Sequence, residues 1–228
     1  MSERPNTNSA SERTRAQIIL AAEKLFGEQG IDAVSLRQIN VAANQKNSSA
    51  THYHFGSKEA LVKEIFDYRM EPVNQRRHEM LDALNNDRTV RRLIEAMVYP
   101  ILEVIDTQEG GRHYIRFLSQ MTGHPAVDLG EIWSSEYGTA LNTLARELET
   151  SLPYVPSKVF YQRFGFAMSQ IINSLADRAR MQDDMKRLNE HEASLHVSNL
   201  IDCVAGALSA PVSETTLKEL DDVKRDAS

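Results

Sequence analysis

The side chains best equipped for chemistry fall in one stretch of the chain. From Ala33 to Lys58 there are three cations, Arg37, Lys46 and Lys58, two histidines, and no acid. Inside it, Asn47-Ser-Ser-Ala-Thr-His-Tyr-His54 strings together groups that both donate and accept hydrogen bonds. On a rod narrow enough for a DNA major groove, such groups meet base edges, and the Ala50 or Thr51 methyl can meet a thymine methyl. Tyr53 and His54, at the end of that rod, can reach a phosphate with a hydroxyl or ring N–H. A surface that faces phosphates must avoid carboxylates, because each one repels the polyanion. The same 26 residues also read as an ordinary polar loop, and charge alone does not separate the two readings.

Other chemistries lack their residues. There is no Gly-x-Ser-x-Gly, no phosphate-cradling glycine loop and no His-Glu-x-x-His, and Gly110-Gly111 alone is a turn. The seven histidines are scattered; His191 and His196 are five apart, off the i,i+4 spacing that puts two ligands on one helix face. Glu103 and Glu131, near apolar stripes, are weak candidates for buried roles. The one cysteine, Cys203, excludes an intramolecular disulfide, and its place between Ile201 and Val204 reads as an inert core thiol. The expectation is no enzyme, no cofactor and no metal.

The elements that must position the polar stretch are helical. The chain has 228 residues, 41% apolar and 25% charged, with length for one large domain or a small and a larger one. Glycine and proline are sparse and apolar residues recur at three and four rather than at two. Ser9-Ala-Ser-Glu12 spells a capping box and predicts a helix start. Ile18, Ala22, Leu25 and Phe26 form its apolar face, and Gly30 suits the left-handed residue that ends it. Ser35-Leu-Arg-Gln38 is a second capping box, opening a short helix with Leu36, Ile39 and Ala43 on one side. A third short helix is expected over about 48–54. Gly56-Ser57 ends it and caps a long fourth helix, in which Pro72 predicts a kink or a boundary. Helices are also expected around Leu93–Ile105 (interrupted by Pro100), His113–Met121, Pro125–Glu149, 157–181 and 190–209, with a short one after Ser213. The fold class is all-α: residues 1–10 a disordered tail, 11–70 a small helix-turn-helix unit, 71–228 a larger helical domain.

Three short helices, the second and third joined by a tight polar turn, make helix-turn-helix organisation. Phe26, Gly30, Ser35-Leu-Arg-Gln-Ile39, Ala42-Ala43 and Tyr53-His-Phe-Gly-Ser-Lys-Glu-Ala-Leu61 resemble the N-terminal domain of TetR-family transcriptional regulators over about residues 11–70. The resemblance implies an all-helical homodimer on a near-palindromic double-stranded operator, with a C-terminal domain for ligand and dimerisation. It implies that Ser35, Arg37 and Gln38 start the helix that touches the DNA backbone. It implies that Asn47, Ser48, Ser49, Thr51, His52 and Tyr53 read or position DNA and that Lys58 holds a phosphate. The chain departs from the family pattern at Asn40, where a small residue is usual, and at Asn44, which replaces a turn glycine but still tolerates positive φ. The turn and reading helix are one residue longer than the commonest form.

Residues 1–70 carry nine basic and eight acidic residues, the remainder 17 and 24, so the acidity lies in the larger domain. There, Tyr99, Glu103, His113, Arg116, Phe117, Met121, Trp133, Tyr137, Phe164 and Met168 mix apolar walls with a few polar atoms, as a small-molecule pocket does and as an ordinary core does. Phe160, Ile171, Leu175, Val197, Leu200, Val204 and Leu208 recur at helical spacing; on the resemblance they form a dimer interface. The reading is a repressor released by an unknown small-molecule effector. A helical protein-binding adaptor, an activator of the same fold and a helical enzyme are the alternatives. No apolar run approaches the ~18 residues that cross a bilayer. The opening nine residues have no apolar segment of a secretory signal, so no membrane partner and a cytoplasmic location are expected.

Overall fold

The computed structural model describes residues 7–47, 49–124, 138–184 and 190–226, and every regular element among them is helical. In chain order these are α1 (Thr7–Gln29), α2 (Leu36–Ala42), α3 (Ala50–Phe55), α4 (Lys58–Ala83), α5 (Val90–Thr107), α6 (Gly111–Thr122), α7 (Thr139–Ser151), α8 (Ser157–Asp184), α9 (Glu190–Ser209) and α10 (Glu214–Asp226). No single helix among the described residues is long and apolar enough to cross a membrane. The helix expected to open at Pro125 is described only from Thr139 onward; residues 125–137, with Trp133 and Tyr137, lie outside the described residues. At the other end, α1 begins at Thr7, so Ser9 stands inside the helix rather than capping it.

The chain divides into two compact units. The first takes the described residues within 1–73 and 103–130, the second those within 74–102 and 131–228. The unit that holds α1–α3 is therefore larger than residues 11–70, because α6 belongs to it. Ile18, Ile19, Ala22 and Phe26 of α1 are fully buried. Phe26 stacks on Phe117 of α6 with ring centres 6.1 Å apart, and Tyr114 lies 6.3 Å from Phe117. The contact is close because of Gly27: a Cβ there would sit 2.7 Å from the His113 carbonyl oxygen. Periodicity marked the buried face of α1 but carries no information about which helix meets it.

At the far side of α1, Glu23 forms a buried ion pair with Arg69 of α4. The guanidinium donates to both carboxylate oxygens, at 2.7 and 2.8 Å, to the Gln108 side chain at 2.9 Å and to the Glu109 carbonyl at 2.7 Å. Its remaining surroundings are aromatic, with Tyr68 and Tyr114 ring centres at 5.7 and 5.9 Å. Burial pushes the Glu23 carboxyl up from its ordinary value of 4.5, and the bonds and charge of Arg69 only partly pull it back. Burial works against the Arg69 charge too, but Glu23 more than offsets it, and Arg69 stays charged.

In the second unit, Leu93, Ile94, Met97, Val98 and Ile101 of α5 are buried. Arg77 lies beside them, donating to Asn74 Oδ1 at 2.8 Å. Arg163 of α8 donates to the carbonyls of Leu208 and Ala210, at 3.0 and 2.6 Å, and so satisfies the orphan acceptors at the end of α9. Of the kink or boundary expected at Pro72, the helix boundary is not found: α4 runs on to Ala83, and α5 runs through Pro100 to Thr107. Each proline removes an N–H from its helix, and each stands near the residue where that helix passes from one unit to the other.

Arg69→Ala leaves a carboxylate buried without its counter-charge, and at neutral pH the expected loss is about 3–5 kcal/mol. Because the folded-state pKa of Glu23 is raised, the cost of its charge is present above that pKa and vanishes as the group protonates. The gap between wild type and variant therefore narrows as pH falls from neutral toward 4.5. Urea unfolding of both proteins at a series of pH values checks this; a gap that stays constant or widens on acidification contradicts it.

Candidate nucleic-acid interface

The site is assembled from α2, the turn after it, and α3. α2 starts where the capping box predicted. Ser35 Oγ accepts the Gln38 N–H at 3.3 Å, and Gln38 Oε1 accepts the Ser35 N–H at 2.8 Å. The helix is sharply two-sided. Ile39 and Asn40 are buried, while Arg37, Gln38 and Val41 are exposed, Val41 at 73%. Asn44 adopts φ 52°, the left-handed conformation that the sequence allowed for in place of glycine.

The turn is tied down from both sides. Gln45 Nε2 donates to Gln17 of α1 at 3.2 Å and to the Ala43 carbonyl at 2.9 Å. Asn47 folds back, its Oδ1 accepting the Ser49 N–H at 2.9 Å. Ser48 lies outside the described residues. α3 then presents Ser49, His52 and Tyr53 to solvent, Tyr53 at 83% exposure, with His54 half-buried and its ring 5.3 Å from that of Tyr53. After α3, Gly56 turns the chain at φ 77°. Phe55 carries the Arg15 guanidinium 5.8 Å from its ring centre, and Arg15 also pairs with Glu64 of α4.

Two expectations about individual residues are overturned, those for Thr51 and Ala50. Thr51 is fully buried, and its N–H and hydroxyl both donate to Asn40 Oδ1, at 3.0 and 2.8 Å. It cannot also face a base, and buried Ala50 cannot offer a methyl to thymine. Lys58 is half-buried with Nζ donating to the carbonyls of Ile31 (3.0 Å) and Asp32 (3.4 Å). It holds the loop after α1, and an ammonium has three donors, so at most one is left for a phosphate. Sequence reasoning treated Asn40 as a departure from the family pattern and did not single out Val41. The signal for Asn40 was present: an amide beside Ile39, on the inward face of a helix, needs a partner.

The surface that remains is formed by Arg37, Gln38, Val41, Lys46, Asn47, Ser49, His52 and Tyr53, all exposed. It carries two cations, several two-way hydrogen-bonding groups and no acid. That composition suits an anionic, hydrogen-bonding partner with a groove as wide as a helix.

The residues expected to line a ligand pocket belong to both units. Phe117, His113 and Arg116 lie against α1: Phe117 stacks on Phe26, His113 Nδ1 is 3.7 Å from Glu28, and the Arg116 Cβ and His113 carbonyl abut Gly27. What these three side chains meet is α1, a helix of the same unit. Met121 is also buried in that unit, and Glu103 is exposed. Tyr99, Phe164 and Met168 belong to the second unit, with Phe164 buried against Phe160 and the other two half-buried.

The seven residues expected at a dimer interface, Phe160, Ile171, Leu175, Val197, Leu200, Val204 and Leu208, are all buried within one chain. They form the inner faces of α8 and α9, which a partner cannot reach. The outer faces of the same helices expose Tyr161, Phe166, Met181 and Leu195, with Phe166 at 72% and Leu195 at 69%. Gly165 and Gly206 open onto empty space there. Cys203 is exposed rather than a core thiol, since Ile201 and Val204 take the inward positions. No group of three or more metal-ligating side chains occurs among the described residues.

Known proteins resemble the chain in both parts of its sequence. Residues 18–65 match the family of bacterial regulatory proteins called tetR, and residues 95–207 match the tetracyclin repressor-like C-terminal domain. Over 85 residues the chain is 31% identical to the HTH-type transcriptional repressor NicS of Pseudomonas putida, a match covering 37% of this chain. The chain thus spans 40% of the length of that curated relative. A TetR-family regulator from Streptomyces coelicolor A3 aligns over 92% of this chain and 98% of its own, at 21% identity and a TM-score of 0.41.

Proposed function

Given that the chain belongs to the TetR family of bacterial regulatory proteins, and is thereby a DNA-binding regulator and not an enzyme, we propose that it is a homodimeric repressor of a near-palindromic operator, released by a small-molecule effector. The observation that carries this reading is the acid-free exposed face of α2, the turn and α3. Arg37, Gln38 and Lys46 meet phosphates, and Asn47, Ser49, His52 and Tyr53 lie in or at the edge of the major groove. Such a protein acts in the cytoplasm, where the duplex is.

A six-residue helix contacts too few base pairs to select one site in a genome. Two copies related by a two-fold axis double the contacts, provided the heads stand ~34–36 Å apart. The outer faces of α8 and α9 support this arrangement: Phe166 and Leu195 are large and exposed, and Gly165 and Gly206 let another helix approach closely. We infer that the effector binds in the second unit, to which the half-buried Tyr99 and Met168 belong. It releases DNA by preferring a state in which the heads are wrongly spaced, and by no more than its differential affinity for the two states.

Binding to duplex DNA is expected to weaken steeply with salt, log affinity falling by about 0.9 per phosphate contact for each unit of log salt. Mobility-shift titrations from low to high salt measure the slope, and salt-independent binding would sink the interface.

His52→Ala is expected to relax base preference at one position of each half-site and to cost about 1–3 kcal/mol on the preferred sequence. Lys46→Ala instead weakens all sequences alike and lowers the salt slope by about 1. Selection from random duplexes followed by titration separates them; equal effects of both variants on every sequence would displace α3 from the groove.

Phe166→Asp places a charge in the proposed subunit interface and is expected to convert a dimer to a monomer in sedimentation velocity. The folded monomer then loses operator affinity while keeping its helical circular dichroism. A variant that remains dimeric moves the interface elsewhere.

A further inference from the structure

We propose that Asn40 is a positioning residue for DNA reading, one that caps the reading helix from outside and sets its rotation. The inference rests on the DNA-binding role of α3 and concerns how that role is made specific. α3 has six residues, and its own N-cap, Ser49, makes no side-chain capping bond. The amide that a cap would serve, Thr51 N–H in the second helical position, is served by Asn40 of α2 at 3.0 Å. The same Oδ1 accepts the Thr51 hydroxyl at 2.8 Å. Because both Thr51 groups are donors, the amide must present its oxygen and not its nitrogen. Asn40 and Thr51 are 2% and 0% exposed, so water does not compete for these bonds.

Two bonds converging on one oxygen constrain α3 in two ways. The backbone bond fixes where α3 sits along its axis, and the side-chain bond fixes the angle about that axis by holding Thr51 inward. With about 100° per residue, an inward Thr51 turns His52 and Tyr53 outward, as they are found. Base readout tolerates about 10–20° of misplacement, which an isolated six-residue helix cannot maintain unaided. A small apolar residue at position 40 leaves the Thr51 amide and hydroxyl unserved and lets α3 turn.

The test compares sequence selection from a pool of random duplexes by wild type, Asn40→Ala, Thr51→Val and Thr51→Ser, each verified as folded at the assay temperature. Thr51→Ser keeps both donors and is expected to select the wild-type motif. Asn40→Ala and Thr51→Val are expected to lose discrimination between that motif and its single-base variants by about fivefold or more. Affinity for random duplex at low salt should stay within about twofold, since the phosphate contacts are unchanged. Loss of thermal stability alone does not count in favour, because any buried polar deletion produces it. If Asn40→Ala and Thr51→Val select the wild-type motif with undiminished discrimination, Asn40 is structural only and the inference is overturned. If Asn40→Ala does not fold, Thr51→Val, which removes one bond and keeps the shape, decides. A wild-type protein that selects no motif would remove the DNA-reading role and the inference together, a failure visible in the first arm alone.

Discussion

A helix of six residues has no stability of its own. Nucleation costs more than so few hydrogen bonds return, so α3 exists only in the setting its neighbours impose. The rest of the first unit can be understood as that setting. Asn40 holds the start of α3, and Phe55 at its end carries the guanidinium of Arg15. Gln17 of α1 reaches the turn through Gln45. Lys58, one step beyond, fastens the loop after α1 to the start of α4. Almost every side chain that sequence reasoning placed on the reading surface and that proves to be buried or engaged, Thr51 and Lys58 above all, belongs to this support.

The same logic extends to the ion pair of Glu23 and Arg69. Isolated, either charge is costly in an apolar interior. Together with Gln108 and the Glu109 carbonyl they join α1, α4 and the turn before α6 at one point. The pair is a weak source of net stability and a strong source of register, because sliding any one helix leaves a buried charge unserved. Arg69 lies one turn before Pro72, near where α4 passes into the second unit. The N–H that Pro72 removes from that helix is thus missing one turn from a buried ion pair that ties the helix to its neighbours.

The interior of the second unit shows how a correct periodicity can support a wrong assignment. The stripes of Phe160, Ile171 and Leu175 and of Val197, Val204 and Leu208 are continuous and apolar, and they are the inner faces of α8 and α9. A subunit interface must instead be drawn from what the monomer leaves exposed, and Phe166 and Leu195 fall outside the stripes that periodicity picks out. A residue outside the repeating stripe is invisible to a periodicity argument. His113, Arg116 and Phe117 were displaced for a related reason: Gly27 lets α6 lie close on α1, and nothing in the α6 pattern announces which helix will do so.

Local chemistry was legible in the chain. The capping box at Ser35 and Gln38, the left-handed turns at Gly30 and Asn44, the short third helix and the acid-free stretch depend on residues a few positions apart, and they stand as read apart from the helix start at Ser9. The all-helical class follows for the same reason, since the 3.6-residue period is a local property. What tertiary structure decided was the identity of partners: Asn40 with Thr51, Glu23 with Arg69, Lys58 with Ile31 and Asp32. Each joins residues 11 to 46 positions apart. A side chain's own type says that it needs a hydrogen bond or a counter-charge, but only the packed fold determines whether that need is met inside the protein or left for a ligand.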